Sequence, residues 1–180
     1  MPLTSTLGNL MLAGDPLQFA VEIFHEPESP RWKGFGRMCI HIEGVVLGRL
    51  HERHCSLFHA VERIIAVADQ LPVLWDGRFV DRSDDSIFSL LDASLYRGTE
   101  PNDGNLQRFD FLTNTGEQFD DCKTFIYCTP ARSVHLLYQQ HDQPARSGVC
   151  TSKSFTAAAS QLREWWSAVA QPINPPDAAR

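Results

Sequence analysis

"FGRMCIHIEGVVLGRL", residues 35–50, decides how the chain is read. Its first half alternates, with Met38, Ile40 and Ile42 on one side, and a period of two marks a strand with one buried face. Glu43-Gly44 then offers a tight turn into "VVLGRL", so the stretch predicts a β-hairpin. Upstream, "LQFAVEIFHE" (17–26) alternates in the same way through Phe19, Val21 and Ile23. Between the two, "EPESPRWKG" carries Pro27, Pro30 and Gly34 and reads as a loop.

Downstream the period changes. From about 55 to 71, Leu57, Val61, Ile64, Ala68 and Leu71 step by four and three, which predicts a helix with one apolar stripe. "LPVLWDGRF" interrupts it with Pro72 and Gly77. A second helix is expected over about 84–96, burying Ile87, Leu90, Leu91 and Leu95, with Ser83 or Asp84 capping its first turn. After the polar connection "RGTEPNDGN" come strand-like pieces at 107–113, 123–129 and 132–139, the last two joined at Pro130-Ala131. A final helix starts after Ser152 or Ser154 and buries Phe155, Leu162 and one or both of Trp165 and Trp166. Strands in hairpin groups, rather than alternating with helices, predict a single α+β domain: an antiparallel sheet with about three packed helices. It is expected to span residues 1–170, with 171–180 a flexible proline-rich tail.

Composition narrows the class. The 180 residues are 43% hydrophobic and 21% charged, as in soluble globular proteins. No apolar run approaches the roughly 18 residues that span a bilayer. The N-terminal sixteen residues hold no Lys or Arg ahead of their short apolar piece, so a signal peptide's basic region is missing. The expected location is the cytoplasm. Cys39, Cys55, Cys122, Cys128 and Cys150 are odd in number and scattered, which predicts free thiols. The net charge of −6 argues against direct nucleic-acid binding, which favours a basic patch. It is concentrated in residues 76–121, where 11 acids face 4 bases for a net of −7.

"HERHCSLFH" (51–59) has the composition of a zinc site, since imidazole and thiolate are common zinc ligands. At about 100° per residue, Cys55 and His59 fall opposite Leu57, on the solvent side beside Glu62 and Arg63. With no second ligand pair at metal spacing, the segment reads as a helix surface, and neither metal nor cofactor is expected. "GFGR" (34–37) lacks the third glycine of a dinucleotide turn, and neither a phosphate loop nor a GxSxG elbow occurs. Cys39 or Cys128 with His41 or His135 could pair a thiol with a base, but each lies in an apolar strand where a core cysteine is the commoner role. Asp84-Asp85 and Asp120-Asp121 read as a cap and a turn. No catalytic residue is assigned.

"GDPLQFAVEIF" (14–24), then Trp32, then "GFGRMCIHIEGVVLG" (34–48), then a helix near "CSLFHAVERI" (55–64) resemble the immunity protein 42 family of bacterial polymorphic toxin systems. The resemblance covers about residues 14–169, with 97–150 matched only by length and strand character. It implies a cytoplasmic α+β protein, without catalytic residues, that binds and neutralises one cognate toxin. By that resemblance Trp32, Gly34 and Gly44 match motif positions, and they read as structural, hairpin and core rather than contact surface. A small cysteine-dependent enzyme and an adaptor or chaperone for a secreted effector are the alternatives. Loss of an activity on thiol alkylation would mark the first, and release of the client would mark the second.

The expected contact surface is the acidic middle. Loops carry binding functions more often than the elements they join, and "DGRFVDRSDD" and "RGTEPNDGN" supply Asp76, Asp81, Asp84, Asp85, Glu100 and Asp103. Such a face suits a basic toxin, a nuclease among the candidates, because opposite charge steers association. Asp84 leaves this set if it caps the second helix.

Overall fold

The computed structural model describes residues 10–26, 34–52, 54–99 and 104–169. Two antiparallel sheets and three α-helices make up the described chain. The first sheet is a meander of β1 (Leu10–Asp15), β2 (Phe19–His25), β3 (Phe35–Ile42) and β4 (Val45–Leu47), with β5 (Cys55–Ser56) added beside β3. β3 is the hub. One edge pairs with β2 in full, from Phe19 opposite Ile42 to His25 opposite Gly36. Its other edge takes β4 at Ile40–Ile42 and β5 at Phe35–Gly36. The expected hairpin forms at Glu43-Gly44, where Gly44 adopts φ +77°, a left-handed conformation that glycine enters without a Cβ penalty.

Alternation sends Met11, Ala13, Phe19, Val21, Ile23, Met38, Ile40 and Ile42 to one fully buried face. Against it lies α3 (Ser152–Val169), with the Phe19 and Phe155 rings 4.4 Å apart, and α1 (Phe58–Gln70) packs on α3. The stripe of α1 is as expected through Leu57, Val61, Ile64 and Leu71, with Ala60 and Val67 also buried. α3 buries both tryptophans, and Gly34 lies beneath Trp166, whose ring a Cβ at that position would meet at 2.7 Å.

The second sheet orders β6 (Cys122–Cys128), β7 (Ser133–Gln140) and β8 (Arg146–Thr151). One of its faces carries α2 (Asp84–Asp92), with Phe88 and Phe125 rings 5.1 Å apart. The other turns to the common core, where Gly148 comes so close to Ile42 that a Cβ would sit 2.5 Å from Cγ1.

Four expectations are corrected. The first helix starts at Phe58, because Cys55 and Ser56 pair with β3 instead. Cys55 is therefore buried rather than turned to solvent with His59. Residues 107–113 are no strand: Leu106–Phe109 is a 3-10 turn, and a single bridge joins Asp110 to Phe125. The second helix is α only to Asp92 and widens to a π turn over Ala93–Arg97. β1 and β8 lie outside the expected strands. Trp32 and the tail from 171 lie outside the described residues.

Candidate partner-binding surface

The segment 76–85 leaves the 3-10 turn Leu71–Val73, forms a second such turn at Gly77–Phe79, and enters α2. Phe79 anchors it from beneath, fully buried against Phe109 at 4.8 Å and Tyr127 at 5.5 Å between ring centres. With that ring as a pin, the residues around it face outward: Val80 is 56% exposed, and Asp81 and Asp85 are exposed.

The four aspartates have different fates. Asp76 caps the short turn by accepting from the Arg78 backbone N–H at 3.0 Å. It also accepts from the Arg78 guanidinium at 2.8 and 2.9 Å, and from Arg108 at 3.3 Å. These hydrogen bonds, led by those of the Arg78 side chain, hold its carboxyl down at about 2. Ser83 caps α2, its hydroxyl accepting from the Ser86 N–H, so Asp84 is free for another role. Asp84 turns onto the second sheet and accepts from the Tyr127 hydroxyl at 2.5 Å, with His135 Nδ1 at 3.2 Å. The His135 hydrogen bond leads, with Ser147 and Tyr127 adding to it, in holding the Asp84 carboxyl well below the usual carboxylate range. One carboxylate thus ties the start of α2 to β6, β7 and β8.

Asp81 and Asp85 complete the described set. Among the described residues neither side chain forms a hydrogen bond or ion pair. Asp81 sits at φ +58°, a left-handed position that a short polar side chain tolerates. Asp85 lies in the first turn of α2, where a negative charge suits the helix dipole. Glu100 and Asp103 lie outside the described residues. The structure therefore separates two exposed acids from two that are spent on internal bonds. Sequence reasoning missed the partners that spend them. Tyr127 and His135 do stand opposite each other in register on adjacent strands, but no pattern links them to residue 84.

The depressed Asp76 carboxyl has a consequence for acid stability. A carboxylate with a lower folded than unfolded pKa contributes stability that is present above about 4 and lost as pH falls towards its folded value. Stability is therefore expected to drop between about pH 4 and pH 2, and Asp76→Asn should flatten that part of the curve. Arg78 is 38% exposed, so the effect is screened and small. Urea titrations of both proteins across that range check it, and identical slopes would remove Asp76 from the account.

The thiols give little support to nucleophilic catalysis. All five cysteines are buried thiols. Burial, ahead of the nearby Glu22 charge, pushes the Cys39 thiol up to about 12, away from the thiolate that attacks. His41 faces both Cys39 and Glu22 through the same ring nitrogen, Nε2, so it does not relay between them as a triad histidine does.

The architecture is that of a small α+β protein. The model of the immunity protein 42 family matches residues 11–165, and the chain belongs to that family. It is an immunity protein. Among solved structures, CdiI from Burkholderia dolosa AUO158 shares the fold with a TM-score of 0.61 and 17% identity, covering 86% of this chain and 99% of that one. No curated protein sequence matches. Among the described residues no helix is long and apolar enough to cross a membrane.

Proposed function

We propose that this chain binds one cognate protein toxin in the cytoplasm and neutralises it by stoichiometric association, with no catalysis of its own. The carrying observation is the family match, which runs from β1 into α3 and so takes in both sheets and all three helices. The contact surface in this reading is the exposed part of 76–85 with Glu100 and Asp103. Asp81 and Asp85 supply charge, Val80 supplies apolar area, and Asp76 and Asp84 brace the segment from within. A toxin basic where it grips phosphate, as a nuclease is, suits this face through electrostatic steering.

The test is kinetic. Lysine at Asp81, Asp85, Glu100 and Asp103 together should slow association with the cognate toxin at low salt by about tenfold or more. The deficit should fade towards 1 M salt, where the Debye length is about 3 Å. Circular dichroism should show an unchanged fold. An unaltered low-salt on-rate would make the acidic segment a solvated surface and send the search for the contact elsewhere. Growth rescue by the unmodified chain, coexpressed with its toxin, tests neutralisation separately, and a stable complex separates an inhibitor from a chaperone.

A further inference from the structure

Glu22, Cys39 and His41 converge on the outer face of the first sheet, on strands that carry none of the residues assigned to partner binding. The register explains why. Glu22 stands directly opposite Cys39 across the β2–β3 ladder, and His41 follows two residues on, so all three side chains leave the same face. The Nε2 of His41 lies 3.0 Å from Oε2 of Glu22 and 3.7 Å from Sγ of Cys39. The Sγ to Oε2 distance is 3.9 Å, and all three donor atoms lie within 4.8 Å of one another.

These separations have a plain chemical meaning. Zinc bonded to sulfur at about 2.3 Å, and to nitrogen and oxygen at about 2.0–2.2 Å, sets its tetrahedral donors about 3.3–3.6 Å apart. The three edges here differ from those values by about 0.4 Å or less, within reach of side-chain rotation. The donor set also fits by charge: a thiolate and a carboxylate neutralise a divalent cation, and imidazole adds none, which favours a partly dry site. The surroundings are partly dry: Cys39 is buried, and the His41 and Glu22 side chains are 15% and 30% exposed. Leu12 of β1 stands opposite Glu22 and Val46 of β4 opposite His41, each an apolar side chain at the rim. Arg37, next along this face of β3, is stacked over Phe24 at 4.3 Å.

We propose that Glu22, Cys39 and His41 form a three-ligand zinc site with a fourth position open to solvent. Binding replaces the S–H bond of Cys39 by a Zn–S bond, the proton leaving to water, with no change of oxidation state. This departs from the expectation of no metal drawn from residues 51–59. The ligands are contributed instead by two paired strands, at spacings that a search for clustered histidines passes over.

Cobalt is the probe, because thiolate-bound tetrahedral Co²⁺ is coloured. Tag-free full-length protein, reduced and stripped of metal by chelation, is titrated with Co²⁺ and then Zn²⁺. Expected are strong visible ligand-field bands and a near-ultraviolet thiolate-to-cobalt band, saturating at one cobalt per chain and bleached by zinc. Cys39→Ser should abolish the thiolate band, and Glu22→Gln and His41→Gln should each weaken binding at least about tenfold. His54→Ala, which removes a histidine of the 51–59 cluster, should change nothing. If Cys39→Ser does not fold, the other two variants decide. Absence of the thiolate band at saturating cobalt, its survival in folded Cys39→Ser, wild-type affinity in Glu22→Gln and His41→Gln, or its loss in His54→Ala would each overturn the proposal.

Discussion

Ile64→Ala is expected to lower the unfolding free energy by about 2–5 kcal/mol, the range for truncating a large buried aliphatic side chain. Ile64 is fully buried near the middle of α1, in the core shared with the first sheet and α3. Helices cannot collapse onto a lost side chain without moving their neighbours, so much of the cavity persists. Leu57→Ala belongs in the same range, since Leu57 is equally buried at the entry to the helix. His59→Ala, at an exposed position of the same helix, should stay within about half a kcal/mol. Urea unfolding of the three variants checks the set. A larger loss for His59→Ala than for Ile64→Ala would mean that the helix is turned the other way.

Gly36→Ala is expected to cost about 3 kcal/mol, at the upper end for overpacking. A Cβ at this position would lie 2.0 Å from the carbonyl oxygen of Phe24 and 2.9 Å from Cδ1 of Leu57. The first clash is with backbone in the β2–β3 ladder, which cannot give way as a flexible side chain can. Gly36 also pairs with Cys55, so any shift disturbs β5 as well. The glycine that fails as part of a dinucleotide turn is thus explained by close packing. Thermal unfolding of the variant, monitored by circular dichroism, measures the loss. A near wild-type melting temperature would show that the strand can slide to make room.

The pattern of what the sequence disclosed follows from the range of the interactions involved. β2, β3 and α1 were legible because each repeats its own period over several residues. β5 was not, since two residues have no period and are strands only through pairing with Phe35 and Gly36. The same cause hid the burial of Cys55. β8, "RSGVCT", has a glycine where Ile42 presses in and little alternation to betray it. In 107–113, Phe109 and Phe111 imitate a strand, yet burial of the consecutive Phe111 and Leu112 breaks a period of two. The surface was half legible. Charge marked 76–85 as a candidate, but the loss of Asp84 to Tyr127 and His135, 43 and 51 residues further on, is a tertiary fact.

The grip of Asp84 on the second sheet also bears on how this surface can be reused. A loop that orders only when its partner arrives spends part of its interaction energy on losing freedom, whereas one held in advance keeps that energy for affinity. Here Phe79 beneath and Asp84 behind fasten the segment from within. In the proposed contact, exchange of Val80 or Asp85 would alter what is offered without altering how it is offered, whereas Asp81, at φ +58°, favours short polar side chains or glycine. On that proposal, a lineage facing a changed toxin would retune recognition one side chain at a time on an unmoved frame.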